Sequence, residues 1–336
     1  EETPAKVDPL SAETKIIFAV GPVQAATIFP GNAKWSVITK GPLTGTFMDS
    51  AGTGAWAPEF KKAGFDALVI EGKAEKPTWL FINDDGVEFR DASELWGLDS
   101  IETSLKIKDI LGDKRINALN IGPAGEIMNP TANVTCDGHS FAGRGGAGAV
   151  MGSKNLKAIA AWGTKECQIA DPEACLAWSK EMFQTLHKAT ETAEGTPSVM
   201  VGMEEIGDSP IRYWRGDVWH KGAETIGTPR YTKVLNVKPL PCQNCPVGCH
   251  RHIDIDLKDG GKLVGNGPEY ETLGTMGSGL CVDDLEAISI ANDMCNRAGA
   301  DTISIGSYIG FIIECYESSL LTEEQIGMIP HFGDRE

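Results

Sequence analysis

The sequence predicts an α+β protein, β-rich over residues 1–165 and mainly helical over 166–336. Two observations carry this. As far as about residue 165, short apolar runs are separated by turn formers, which is the pattern of strands. From Asp171 onward the apolar residues recur at helical spacing instead. With 336 residues, 41% of them hydrophobic and 23% charged, the chain can build two domains with a core each.

In chain order, strands are expected at Ile16 to Val20, Trp35 to Thr39, Ala67 to Glu71, Trp79 to Asn83, Val87 to Arg90, Ala118 to Ile121 and Ala158 to Trp162. Asp84-Asp85-Gly86 separates the fourth from the fifth and has the chemistry of a hairpin turn. Ser100 to Leu111 has helical spacing and stops at Gly112. Asp171-Pro172-Glu173 opens an amphipathic helix reaching about Thr192, with proline where its missing N–H costs nothing. Asp283, with Glu286 three residues on, caps a helix from Leu285 to Arg297 that ends near Gly299, and a further helix runs from Thr302 to Leu321. Gly195 to Gly265 reads as loop-rich. A long irregular stretch inside a compact domain is usually functional or shaped by a ligand.

The formal charge is −17, from 47 acidic against 30 basic residues, with no long basic run. Such a surface repels nucleic acid and anionic membranes, so neither is expected as a partner. No run of eighteen apolar residues occurs, so no membrane span is expected either. The first residues, Glu-Glu-Thr-Pro-Ala-Lys, have no initiator Met and no secretory apolar core. The nine cysteines, an odd number with three clustered, suit a reducing compartment and metal binding better than a disulfide framework. A cytoplasmic location is the expectation.

The clustered cysteines are Cys242, Cys245 and Cys249 in Pro-Cys-Gln-Asn-Cys-Pro-Val-Gly-Cys. Thiolates are the natural ligands of iron-sulfur clusters and zinc, and a short loop with Pro and Gly lets the sulfurs converge. A fourth position stays open for another cysteine, for His250 or His252, or for solvent or substrate. A four-iron cluster wants a fourth Cys, whereas Cys3His suits zinc. Cys281, Cys295 and Cys315 are further candidates, although the last two stand in expected helices and, like Cys136, Cys167 and Cys175, read as core thiols.

A second feature is the glycine-rich stretch Ala142 to Lys154, which includes Gly143, Arg144, Gly145 and Gly146. Its backbone can approach an anion closely, and Arg144 with Lys154 could neutralise phosphate. It is not a P-loop, because no Gly-Lys-Ser/Thr closes it. Tight helix packing is the other reading.

This stretch resembles a segment of the aldehyde:ferredoxin oxidoreductase family, tungsten enzymes with a bis-pyranopterin beside a four-iron cluster. Further segments resemble the family in its order: Thr39-Lys40-Gly41-Pro42-Leu43-Thr44-Gly45, Ala67 to Lys73, Ile121-Gly122-Pro123-Ala124-Gly125-Glu126, the cysteine run, and Gly267-Pro268-Glu269-Tyr270-Glu271-Thr272. The resemblance extends from about Pro9 to Glu317. It implies a β-rich base domain that binds the pterins, with helical domains covering them.

By the same resemblance, Arg144 and Gly145, with Gly146 beside them, would lie at the pterin phosphates and their bridging magnesium. Cys242, Cys245 and Cys249 would hold three corners of a 4Fe-4S cluster. Glu269 or Glu271 would stand near tungsten, or molybdenum in its place, as proton acceptor or water-orienting group. Lys34 and Ala51 occupy positions where the family often has Arg and Asn. Asn296-Arg297-Ala298-Gly299-Ala300-Asp301 matches the family's Asp-x-x-Gly-Leu-Asp, with Asn296 and Ala300 as departures; Asn296, Ala300 and Asp301 are the pterin-edge candidates. The implied reaction is oxidation of a small-molecule aldehyde to the acid, with electrons leaving to ferredoxin or an electron-transfer subunit, in an oligomer. Also implied are an earlier glycine-rich segment and a further helical domain with the fourth cysteine, neither of which is in these 336 residues. A zinc-binding interaction module, and a cluster-bearing electron-transfer subunit without tungsten, are the alternatives.

Overall fold

The computed structural model describes residues 4–26, 31–190, 194–216, 218–243 and 245–336. The chain forms two compact units. The first comprises Glu1–Lys188, Cys242–Pro246 and Asn296–Asp301, and the second Ala189–Pro241, Val247–Cys295 and Thr302–Glu336. The fold is α+β.

Two sheets make the first unit. Strands β1 (Ile16–Val20), β2 (Lys34–Lys40), β3 (Phe47–Thr53) and β4 (Ala67–Ile70) form an antiparallel sheet in the order β3-β2-β1-β4. Strands β5 (Thr78–Asn83), β6 (Gly86–Asp91), β7 (Asn117–Asn120), β8 (Val134–Cys136), β9 (Ser140–Ala142) and β10 (Leu156–Ala161) form the other, in the order β6-β5-β10-β7-β8-β9. Only β5 and β10 run parallel. Along β2, buried Trp35, Val37 and Thr39 alternate with more open Ser36, Ile38 and Lys40, as a sheet with one covered face requires. The covered face contributes Trp35, Val37, Ile16 and Phe18 to a core shared with Trp56, Phe60, Leu119 and Ile159. Trp56 and Phe60 stack with ring centroids 4.6 Å apart.

The other face of the six-stranded sheet packs Trp79, Ala118, Ala158 and Ala160 against Leu95 and Ile107. Ile107 belongs to the helix Ser100–Leu111, which has the expected bounds for a visible reason. Asp99 Oδ1 accepts from the Ile101 and Glu102 amides at 2.8 Å, Glu102 returns to the Asp99 amide at 3.1 Å, and Gly112 closes the far end in the left-handed conformation.

In β10 one residue breaks the apolar run. Lys157 is wholly buried and its ammonium meets the carboxylate of Glu126, whose side chain is 7% exposed, with a further bond to the Leu98 carbonyl at 2.9 Å. Glu126 also accepts from the Gly97 amide at 2.9 Å. Burial pulls the Lys157 ammonium below the usual lysine range, and the bond to Glu126 opposes this.

The second unit departs from the loop-rich expectation. Residues 195–265 contain the helices Met200–Glu205, His220–Ile226 and Arg230–Val234 and a three-stranded antiparallel sheet of β11 (Lys238–Leu240), β12 (His250–Asp256) and β13 (Lys262–Asn266). β12 alternates correctly, but one of its buried positions is Arg251, which conceals the strand in a hydropathy reading. Its Ile253 joins Leu273, Met276, Leu285 and Ile288 in the core of this unit. The helix Leu285–Ala298 is capped by Asp284, not Asp283: Asp284 Oδ1 accepts from the Glu286 amide at 3.0 Å. The helices Pro172–Thr190 and Thr302–Glu317 form where helical spacing places them.

Lys157→Met should cost about 3–5 kcal/mol in urea unfolding, because it strands a buried carboxylate. Lys157→Met with Glu126→Leu should recover much of that loss.

Candidate functional site

In the first unit, the open face of the four-stranded sheet carries two of the residues singled out above. Ser36 pairs with Ala51 and Lys34 with Thr53 across β2 and β3, so all four side chains share one face. Lys34 and Ala51 are exposed, whereas Trp35 and Gly52 between them are buried on the opposite face. Thr53 is the link to the cysteines. The Cys242 thiol donates to Thr53 Oγ1 at 3.4 Å, and the same oxygen forms a hydrogen bond with the Ser140 hydroxyl, which is 1% exposed. The Cys245 amide closes a turn on the Cys242 carbonyl at 3.1 Å.

The glycine-rich stretch is a tight entry into the short buried helix Ala147–Ser153. Gly145 and Gly146 have φ of +91° and +86°, and a Cβ on Gly146 would stand 2.4 Å from the Pro130 carbonyl oxygen. Backbone conformation and packing alone therefore require both glycines. Arg144 projects from this turn with its side chain 58% exposed, its Nε 3.5 Å from the nearly buried Asp301 carboxylate. Lys154, paired with Arg144 in the sequence reading, is corrected: it is buried, and its ammonium donates to the carbonyls of Gly72 at 2.9 Å and Ala12 at 3.2 Å. It staples two loops and is not available to an anion.

The segment Asn296–Asp301 is stitched into this unit by its backbone. The Asn133 amide donates to the Gly299 carbonyl at 2.8 Å, the Asp301 amide to the Thr131 carbonyl at 3.0 Å, and Ala300 bridges Ala132. The Asn296 carbonyl accepts from Ser100 Oγ at 2.7 Å, and the Asn296 side chain is buried. Lys34 and Ala51 thus share one face, while Arg144 and Asp301 form a separate pair.

The two glutamates in the second unit have different surroundings. Glu269 precedes a short helical turn and is held by Thr196, whose hydroxyl donates to its carboxylate while accepting from the Tyr270 amide at 2.9 Å. Burial pushes the Glu269 carboxyl up, against the Thr196 bond, which acts to lower it. Tyr231, fully buried, donates to the Pro268 carbonyl at 2.8 Å, and burial raises its phenol too. Glu271 is exposed, and its carboxylate accepts no hydrogen bond among the described residues. Cys249 lies directly before β12.

Residues 1–163 match the family model "Aldehyde ferredoxin oxidoreductase, N-terminal domain", and residues 173–336 match "Aldehyde ferredoxin oxidoreductase, domains 2 & 3". The chain belongs to the aldehyde ferredoxin oxidoreductase family. A tungsten-containing aldehyde ferredoxin oxidoreductase of Pyrococcus furiosus is 39% identical over 99% of this chain and 55% of its own length. An aliphatic sulfonate oxidoreductase, WOR-like subunit, from the same organism is 31% identical over 98% of this chain and 54% of its own. Among solved structures, the active site complex BamBC of benzoyl coenzyme A reductase superposes with a TM-score of 0.81 at 29% identity, over 96% of this chain and 50% of that one. This family member therefore spans about half the length of the relatives it matches.

The donor chemistry fits the family's groups. Cys242, Cys245 and Cys249 form no disulfide and are partly buried, and thiols are the soft donors an iron-sulfur cluster takes. Among the described residues, no three His, Cys, Asp or Glu side chains are gathered around one point. Arg144 offers an exposed guanidinium for phosphate, and Lys34 an exposed ammonium. Among the described residues no helix is long and apolar enough to cross a membrane. Sequence reasoning passed over Thr53, Thr196 and Tyr231, which hydrogen-bond to residues of the runs it did find, and Ser140, which hydrogen-bonds to Thr53. Thr196 had the one local signal, a Gly-Thr-Pro opening.

A raised Glu269 carboxyl means that the folded chain binds more protons than the unfolded one above the ordinary value of about 4.5. The stability contributed by the neutral carboxyl is present below that value and is lost as pH rises through the raised one. Glu269→Gln keeps an acceptor for Thr196 without the charge. It should raise Tm at pH 7 and leave it nearly unchanged at pH 4, in thermal melts across that range.

Proposed function

We propose that this chain is the pterin- and cluster-binding part of a tungsten-dependent oxidoreductase that oxidises an aldehyde to the carboxylic acid and passes the electrons to ferredoxin or an electron-transfer subunit. The observation that carries the reading is Thr53: it lies on the sheet face that presents Lys34 and Ala51, and its hydroxyl meets the Cys242 thiol. Residues suited to a pterin and residues suited to a cluster are thus joined through one side chain. The names of the relatives support the same reaction class.

When bound, a tungsten or molybdenum bis-pyranopterin with magnesium supplies two-electron chemistry at a metal, and a 4Fe-4S cluster takes those electrons singly. Lys34 and Arg144 neutralise the pterin phosphates, with Gly145 and Gly146 keeping the backbone close. Asn296 and Ala300 would meet the pterin edge, and Asp301 orients Arg144. Cys242, Cys245 and Cys249 bind the cluster. Forming an acid from an aldehyde and water releases two electrons and two protons, so a carboxylate must receive protons beside the reacting carbon. Glu271 is free to do so. Glu269, engaged by Thr196, is the positioning residue that holds the turn on which Glu271 stands.

Metal analysis of anaerobically purified protein is the direct test. Tungsten with iron supports the reading, and zinc alone overturns it. Glu271→Gln should lower turnover of an aldehyde by about 10²–10⁴-fold with iron and pterin retained. Arg144→Ala should lower pterin content, and Cys245→Ser should lower iron. Turnover of an aromatic thioester in place of an aldehyde would move the substrate class toward that of the benzoyl coenzyme A reductase neighbour.

A further inference from the structure

Arg251 stands out in the second unit because a guanidinium only 2% exposed is engaged with the backbone around a cysteine. Its Nη1 donates to the carbonyls of Gly248 and, at 3.2 Å, of His250, the residues on either side of Cys249. Its Nε donates to the Glu194 carbonyl at 2.8 Å. Gly195 then lies directly over the guanidinium: a Cβ there would stand 2.6 Å from Nε, and its φ of +78° is one that side-chain-bearing residues rarely adopt. The next residue, Thr196, holds Glu269 and the Tyr270 amide. One buried cation thereby fixes the peptide units flanking Cys249 and the loop that supports the glutamate turn.

Burying a cation is costly unless negative charge or aligned dipoles answer it. Three carbonyl oxygens supply dipoles. The Glu269 carboxylate acts on the guanidinium electrostatically, and a thiolate at Cys249, two positions away in sequence, would add to that charge. We propose that Arg251 is the positioning residue of the sulfur site, holding the Cys249 backbone in its ligating conformation and favouring, through its positive charge, the reduced state of a cluster bound there. The proposal rests on Cys249 being a cluster ligand. Reduction adds one electron to the cluster, and a nearby fixed cation stabilises the added charge, so the reduction potential is higher with Arg251 than without it.

The experiment compares anaerobically purified wild type, Arg251→Gln and Arg251→Lys. Iron per chain, far-UV circular dichroism and the midpoint potential from an EPR-monitored titration are measured on each. The expected result is a folded, iron-bearing Arg251→Gln protein that titrates at lower potential, with Arg251→Lys recovering most of the shift because it keeps the charge. An iron-bearing Arg251→Gln protein with the wild-type potential overturns the proposal and leaves the cluster reading intact. Wild-type protein that binds no iron overturns both. If Arg251→Gln does not fold, Gly195→Ala displaces the guanidinium without removing it; a potential unchanged in that iron-bearing variant also overturns the proposal.

Discussion

Strand β10, buried on both faces, is the constraint on which the first unit depends. Its Leu156, Ile159 and Ala161 belong to one apolar core and its Ala158 and Ala160 to the other, so the strand cannot shift without opening both. Lys157 is admitted only because Glu126 and the Leu98 carbonyl receive its ammonium. The glycine-rich turn and the helix Ala147–Ser153 lead directly into this strand. The position of Arg144 therefore follows from packing that has nothing to do with a ligand, and a rigid approach of this kind is what a fixed anion contact needs.

Much of the first unit was legible because its strands follow the periodicity of a half-buried sheet. Six of the seven expected strands differ from the observed ones by at most a residue at either end, and the Asp99 capping box and Gly112 mark the helix Ser100–Leu111. β3 escaped notice because Phe47–Thr53 is mostly small and polar and opens onto the exposed face, where burial imposes no apolar pattern. β8 and β9, three residues each, are too short to show a period. In the second unit β12 was hidden by Arg251, a charged residue at a position where the pattern calls for an apolar one. Pairing between distant segments, rather than local propensity, created these strands.

The candidate site was legible as residue types and illegible as partnerships. Spacing pointed to the cysteines and the family resemblance to the two glutamates, but nothing local tells Glu269 from Glu271. Their difference arises from Thr196, more than seventy residues away in sequence. Arg144 and Lys154 look equivalent in the chain; one is exposed and the other is enclosed by the Ala12 and Gly72 carbonyls. Burial of a titratable group is a property of the fold, and it decides which charges remain available for chemistry.

The first unit is also discontinuous along the chain. Asn296–Asp301 lends its backbone to residues 131–133 after an excursion of more than 160 residues, and Cys242–Pro246 returns to the same unit earlier. Its folding cannot be completed from the N-terminal stretch alone. As the chain leaves the ribosome, the amide of Asn133 and the carbonyl of Thr131 wait for partners that are synthesised more than 160 residues later. Loop-closure entropy of that length slows the final docking without much weakening it. A fragment ending near residue 188 would expose that edge, with two orphaned backbone groups where residues 299–301 otherwise supply a bridge.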